Sequence, residues 1–89
     1  MAIFAAADIQ AMVLMKLAAD RGIRVPQDLA VLGFDGLEYA EFMGLTTINQ
    51  SLVESGRIAA ELLLNELTDA SRAVQHINLP LTLVKRKTA

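Results

Sequence analysis

The fold is decided by residues 2–34, which read AIFAAADIQAMVLMKLAADRGIRVPQDLAVLGF. The continuous apolar run Ala2–Ala6 is typical of a parallel strand that is covered on both faces. Leu29–Phe34 is a second run of this kind, and Pro26 separates it from the helical pattern that precedes it. The order strand, helix, strand over these residues predicts a right-handed βαβ unit.

The segment between the two strands is a helix with a broad apolar surface. Asp8 is the predicted N-cap, and the helix should run over Ile9–Arg21. Its polar residues share one arc of the helix, yet Val13, Leu14 and Leu17 fall inside that arc. A helix that covers a sheet needs only one apolar stripe. The second apolar surface therefore predicts a second contact, such as a partner subunit.

The remainder of the chain continues the alternation of strand and helix. The largely β-branched segment Leu45–Ile48 predicts extended backbone. Ser51–Glu54 matches a capping box for a second helix, and Gly56 in the apolar stripe of that helix predicts a close approach to a sheet. Residues 77–83 alternate in polarity, which indicates a final strand with Pro80 at a sheet edge or at a break between strands.

Composition excludes several classes of function. The chain has 89 residues, 54% of them apolar, with a net charge of −2, so it makes one domain at most. Without cysteine it has no disulfide, no thiolate zinc site and no cysteine nucleophile. The sequence pI of about 5.2 argues against free-standing binding to nucleic acid, and no uncharged stretch is long enough to span a bilayer. We expect a cytoplasmic chain without a cofactor and without a membrane partner.

The sequence contains no recognisable catalytic constellation. His76 is the single histidine, and no serine or carboxylate pair is spaced to use it, so a surface strand residue is the favoured interpretation. Lys85–Lys87 is a short basic run, which favours a solvated strand end over a phosphate clamp. We predict that the chain is not an enzyme and binds no metal.

The predicted elements are too few for a complete fold. The order β-α-β, connector, α, β predicts an α/β protein with a parallel sheet and flanking helices, but two helices cannot cover both faces of such a sheet. Uncovered apolar side chains and unpaired strand edges drive association. We therefore expect a homo-oligomer, an intertwined assembly or association with the rest of a parent core, and no stable free monomer.

Several segments, in the correct order, resemble the LacI/GalR repressor family. Four of the family patterns are F-A-x-N-D, G-x-x-V-P-x-D, V-V-G-F-D-D and L-T-T-I-x-Q, and the fifth similarity is to the C-terminal residues of a member of the family. The matching segments here are Ile3–Asp8, Gly22–Leu29, Val31–Gly36, Leu45–Gln50 and Leu79–Thr88. This resemblance covers essentially the whole chain. It implies a type I periplasmic-binding-protein fold, in which two α/β lobes enclose a sugar or a nucleobase in the cleft between them.

The resemblance also implies where this chain lies in that fold. Residues 1–47 would belong to the distal lobe, residues 48–78 to the DNA-proximal lobe, and residues 79–89 would return to the distal lobe. The family's helix-turn-helix headpiece and hinge helix have no counterpart in this sequence. Operator DNA would therefore be a partner only through the headpiece of a longer parent protein.

Asp35 and Gln50 are the candidate effector-binding residues. Asp35 follows a parallel strand, at the edge where open α/β sheets bind ligands, and its carboxylate can accept hydrogen bonds from sugar hydroxyls. The alternative is an Asx-turn at Asp35-Gly36; the residues alone do not separate the two, and the resemblance favours ligand contact. Gln50 lies where the resemblance implies that the chain crosses between the lobes, so its amide could donate or accept a hydrogen bond at the cleft. The alternative interpretation is that Gln50 is simply an exposed residue before Ser51. The family's Asn is Ala7 here and its second Asp is Gly36, so the effector stays unidentified.

Met12, Met15, Phe42 and Met43 are the candidate dimer-interface residues. Methionines on such a helix usually lie in the core. The first helix has a broad apolar surface, and the resemblance implies a dimer contact on this same helix. For Met12 and Met15, a place in the interface is therefore as well supported as a place in the core. Phe42 and Met43 carry the same two interpretations.

These observations favour a binding module. We expect the C-terminal effector-sensing and dimerisation segment of a LacI-family transcriptional regulator, which binds a small sugar-like molecule. The alternative is part of a periplasmic or ABC-transporter sugar-binding protein of the same fold. A small α/β enzyme or a response-regulator-like domain is disfavoured, because one acid and no glycine follow the first strand.

Overall fold

The computed structural model describes residues 1–69 and 73–89. Short apolar runs form strands in it, and segments with helical periodicity form the connections. The elements, in chain order, are β1 (Ala2–Phe4), α1 (Asp8–Asp20), β2 (Ala30–Asp35), α2 (Glu38–Phe42), β3 (Thr46–Asn49), α3 (Leu52–Thr68) and β4 (Thr82–Val84). The predicted α/β class is confirmed.

The strands form one sheet in the order β1-β2-β3-β4. β1 and β2 are parallel, with Ala2 opposite Ala30, and this confirms the predicted βαβ unit. β3 is parallel to β2, whereas β4 is antiparallel to β3 and closes the sheet on that side. The predicted parallel sheet is thus found in β1, β2 and β3, and the last strand adds an antiparallel edge.

A small core lies between α1 and β2. Its buried members, Ala11, Leu29, Val31, Ala40 and Leu45, come from both helices and strands of the first half of the chain. Ala11 and Ala18 form the buried side of α1, and small side chains there let the helix approach the sheet closely. Burial is therefore concentrated on one side of α1, at Ala40 of α2 and along the central strands β2 and β3.

The two predicted helix caps were wrong. Asp8 is the first residue of α1, and the N-cap position is occupied by Ala7, which makes no side-chain cap. Ser51 has left-handed backbone (φ 53°, ψ 54°) and also makes no side-chain cap. Its backbone N–H donates to Asn49 Oδ1 at 2.8 Å and not to Glu54, which pairs with Arg57 on the surface of α3. Both predictions assumed local hydrogen bonds, which other partners replace here.

The helix α3 packs on little else within this structure. α3 has no buried residue, and a side chain at Gly56 would meet no atom within 4 Å, so the predicted close approach to a sheet is not made by this chain. The last strand covers only Thr82–Val84, so the strand predicted over residues 77–83 starts later and excludes Pro80. The molecule is elongated, 59 × 17 × 17 Å. Within the described residues, no helix has the length and apolar character needed to cross a membrane.

The last residues of the chain lie against the starting ends of β2 and β3. Thr88 is buried, its carbonyl accepts from Val31 N at 2.8 Å, and its hydroxyl donates to Val31 O at 2.7 Å. The same hydroxyl accepts from Thr46 N at 2.8 Å. Thr88 is therefore fixed to both strands. In the basic run predicted to be a solvated strand end, Lys85 and Lys87 are exposed, whereas Arg86 is half-buried and its Nη1 donates to Leu45 O at 2.9 Å.

Candidate functional site

Polar side chains gather at the carboxyl ends of β2 and β3. Asp35 ends β2 and lies opposite Asn49, which ends β3. Because parallel α/β sheets bind ligands at this edge, it is the first place to look for a site. An open groove of about 490 Å³ lies here, lined by Gly36, Leu37, Glu38, Asn49, Ser51, Leu52, Val53 and Glu54. The groove combines backbone and carboxylate groups with apolar side chains.

Asp35 and Gln50, the two residues predicted from sequence, are in direct contact. Gln50 Nε2 donates to Asp35 Oδ1 at 2.5 Å, and Gln50 N donates to Asp35 O at 3.3 Å. Both residues are half-buried, so Gln50 is not the exposed residue of the alternative interpretation. An amide and a carboxylate held side by side can donate to and accept from the same polyhydroxyl ligand.

The backbone at Asp35 is strained. Asp35 has a φ of 137°, in a region that favours glycine, and Gly36 follows with a φ of 81°. A Cβ atom at Gly36 would lie 2.8 Å from Asn49 Cα, so only glycine fits between this turn and the end of β3. Gly36 therefore makes possible the close approach of the two strand ends that carry the site.

Asp8 is the residue that sequence reasoning missed. It is fully buried, and Asp8 Oδ2 accepts from Gly36 N at 3.0 Å and from Leu37 N at 2.9 Å. Asp8 Oδ1 accepts from Thr47 Oγ1 at 2.5 Å. The sequence carried one signal, an acid directly after a buried strand, but the N-cap interpretation kept its side chain on α1.

The site is electrostatically negative. Tyr39 of α2 is half-buried beside it, and partial burial together with the negative charges of Asp8 and Asp35 raises the pKa of the Tyr39 hydroxyl. The neutral hydroxyl is thus a hydrogen-bond donor at neutral pH. A negative site lined by hydrogen-bonding groups suits a neutral polyol better than an anion.

The candidate dimer residues occupy different environments. Met15 packs against the core, Met12 and Met43 are half-buried, and Phe42 is 89% exposed. Of the predicted second apolar surface of α1, Val13 and Leu17 are exposed, together with Ile9, whereas Leu14 packs against the core. This surface borders a shallow depression of about 370 Å³ lined by Met12, Val13, Lys16, Leu17 and Asp20.

The remaining sequence predictions concern a metal site and His76. In residues 1–69 and 73–89, no group of three or more His, Cys, Asp or Glu side chains could hold a metal ion. His76 is exposed and lies outside the strands, so its assignment to a strand was wrong.

Comparisons with known proteins agree on one family. The family model of the periplasmic binding protein-like domain matches residues 1–89. The HTH-type transcriptional repressor MelR of Bacillus subtilis is 38% identical over 89 residues, 98% of this chain and 26% of the repressor. The HTH-type transcriptional repressor PurR of Pectobacterium atrosepticum is 36% identical over 89 residues, with the same shares. This chain therefore spans about a quarter of the length of these curated relatives.

Solved structures give the same answer. A LacI family transcriptional regulator from Enterococcus faecium, with bound ribose, has a TM-score of 0.94 at 29% identity, over 98% of this chain and 33% of that one. A transcriptional regulator CelR–cellobiose complex has a TM-score of 0.90 at 31% identity, over 99% of this chain and 28% of that one. This chain belongs to the periplasmic binding protein-like domain family, and nearly its whole length is similar to a segment of LacI-family regulators.

Proposed function

We propose that this chain is the effector-sensing and dimerisation segment of a cytoplasmic LacI-family transcriptional regulator, and that it performs no catalysis. Its effector is a small sugar-like molecule, bound at the carboxyl edge of β2 and β3. Operator DNA is contacted by a helix-turn-helix headpiece elsewhere in the parent protein. The similar proteins reported above are repressors and transcriptional regulators, which supports a regulator over a transport-linked sugar-binding protein.

The observation that carries the proposal is the Asp35–Gln50 pair beside the open groove. Asp35 Oδ1 already accepts from Gln50 Nε2, and a carboxylate has a second oxygen for a ligand hydroxyl. The Gln50 carbonyl oxygen can accept from another hydroxyl of the same ligand. Similar regulators that were solved with ribose and cellobiose indicate the class of ligand.

The chain path supplies a mechanism for the response. After Gln50 the chain leaves the sheet through α3 and returns only at β4. We assign residues 1–47 to the distal lobe, residues 48–78 to the DNA-proximal lobe and residues 79–89 to the return. A ligand held between Asp35 and Gln50 then contacts one lobe and the start of the crossover. It favours one lobe arrangement by its differential affinity, which changes the spacing of the headpieces.

The test uses a chimera in which this chain replaces the matching quarter of the MelR repressor of Bacillus subtilis. Operator affinity is measured by fluorescence anisotropy against a panel of mono- and disaccharides, ribose and cellobiose included. We expect at least one saccharide to change operator affinity, and isothermal titration then gives its Kd. If operator binding is normal and no saccharide changes it, the proposed function is wrong.

Asp35→Gly isolates the ligand contact from the backbone effect. Glycine removes the carboxylate and relieves the strained φ of 137°, so stability should change little. The loss of one charge-assisted hydrogen bond should weaken effector binding by roughly 1.5–3 kcal/mol, about 10- to 100-fold. The control is Asp20→Ala, because Asp20 is exposed at the end of α1 and lies outside the site. Alanine is used there instead of glycine, which would weaken the helix. If Asp35→Gly and Asp20→Ala bind the effector with equal affinity, Asp35 does not contact the ligand and serves only as a turn residue.

A further inference from the structure

Asp8 joins three parts of the fold that are distant in sequence. It begins α1, its Oδ2 accepts from the backbone N–H groups of Gly36 and Leu37 after β2, and its Oδ1 accepts from Thr47 Oγ1 on β3. Because Asp8 is fully buried, it cannot touch a ligand in the groove. Its influence on the site must therefore act through the groups that it holds.

The turn that Asp8 holds carries Asp35. Asp35 and Gly36 both have positive φ, and a non-glycine residue in that region persists only when its surroundings hold it there. The N–H groups bonded to Asp8 belong to the residues directly after Asp35. Their position fixes the peptide planes of the turn and thus the direction in which the Asp35 side chain leaves the backbone.

The sheet provides the space for this arrangement at Gly33. A Cβ atom at Gly33 would overlap Asp8 Oδ1 and would lie 3.0 Å from Leu45 Cδ2. Glycine at this position of β2 therefore lets the Asp8 carboxylate lie directly over the strand. A carboxylate that only capped its own helix would not need such a gap in the neighbouring strand.

We propose that Asp8 is a positioning residue for the effector site, which orients the Asp35 carboxylate by anchoring the Gly36–Leu37 turn to α1 and to β3. The inference rests on the proposed function, because it is the effector contact of Asp35 that the anchor serves. Loss of the Asp8 carboxylate leaves Asp35 chemically intact but free to leave its strained conformation.

The first arm of the test needs no effector. Hydrogen exchange of the Gly36 and Leu37 amides is followed by NMR in the 89-residue chain, with the Val31 amide as the core reference. In Asp8→Ala we expect exchange at Gly36 and Leu37 to be roughly 10- to 100-fold faster relative to Val31, the factor that a hydrogen bond to a charged group contributes. Asp8→Asn keeps one acceptor oxygen and should restore part of the protection. Unchanged exchange in Asp8→Ala would overturn the anchoring role.

A milder variant covers the case in which Asp8→Ala does not fold. Thr47→Val removes the hydroxyl that holds Asp8 Oδ1 and leaves the carboxylate in place. We expect the Gly36 and Leu37 amides to exchange faster in this variant than in the unmodified chain. The increase should be smaller than in Asp8→Asn, because Asp8→Asn also removes the charge of the acceptor. Asp20→Ala on the same helix should leave them unchanged.

The second arm measures effector affinity per folded molecule in the chimera described above. Asp8→Ala or Asp8→Asn should weaken it about 10-fold or more, with operator affinity retained, and combination with Asp35→Gly should add little further loss. Full additivity, or normal effector affinity despite lost amide protection, would show that Asp8 only stabilises the fold. An unmodified chimera that responds to no saccharide counts against the proposed function, and the exchange arm still decides whether Asp8 holds the turn.

Discussion

Gly33→Ala is the substitution for which the structure gives the sharpest consequence. Gly33 is buried in β2, and the added methyl group would overlap Asp8 Oδ1 and press on Leu45 Cδ2 at 3.0 Å and Thr47 Oγ1 at 3.4 Å. Leu45 is fully buried within the core cluster. The Asp8 carboxylate must therefore shift, and its hydrogen bonds to the Gly36–Leu37 turn weaken with it.

The magnitude follows from those contacts. Overpacking a buried position costs roughly 1–3 kcal/mol. Each buried hydrogen bond that is broken adds roughly 1–3 kcal/mol, less what relaxation recovers. We expect Gly33→Ala to lower the free energy of unfolding by about 2–4 kcal/mol, which is a large share of the stability of so short a chain.

Two other glycines of the same chain provide matched controls for the assay. Gly56 lies in α3 with no atom within 4 Å of an added Cβ, so Gly56→Ala should stabilise by roughly 0.5–1 kcal/mol through helix propensity. Gly22 also has open space but a φ of 71°, so Gly22→Ala should destabilise by roughly 1 kcal/mol through backbone strain alone. Urea unfolding followed by circular dichroism at one protein concentration orders the three variants. If Gly33→Ala is no less stable than Gly22→Ala, the close approach of Asp8 to β2 is wrong.

Two further predictions concern the chain end and the exposed face of α1. Thr88→Val keeps the shape of the side chain but removes the hydroxyl that bonds Thr46 N and Val31 O, so unfolding free energy should fall by roughly 2–4 kcal/mol in the same urea assay. Exposed Thr82→Val is its control, and equal stability of the two variants would contradict the anchoring of the chain end. Val13→Glu places a charge on the apolar face of α1, where Val13 is 53% exposed, and sedimentation equilibrium should show self-association weakened by at least about 10-fold. The exposed substitution Gln10→Glu controls for charge, and an unaltered association constant in Val13→Glu would place the contact elsewhere.

The amino-acid sequence by itself determined the order and kind of most elements, although the short helix α2 lies in a segment that was not predicted to be helical. α1 was predicted to within one residue at each end, and β1 and β2 were found in register as the βαβ unit required. Hydrophobic periodicity, glycine and proline act over a few residues, so these features can be identified from the chain alone. The place of Asp35 at the end of β2 was found for the same reason, and its role as a ligand contact stays a prediction from the edge where α/β sheets bind ligands.

Tertiary structure decided where the polar side chains go. The partners of Asp8 lie 28 to 39 residues away, and those of the Thr88 hydroxyl lie 42 and 57 residues away. Local rules assigned the Asp8 side chain to its own helix, since a side-chain cap is the nearest available partner, and they indicated no partner for the Thr88 hydroxyl. Burial changes that choice, because a carboxylate or hydroxyl removed from water must find partners wherever the folded chain presents them. The chain's local pattern thus specified the strands and helices, and only their packing specified which polar groups hold the site together.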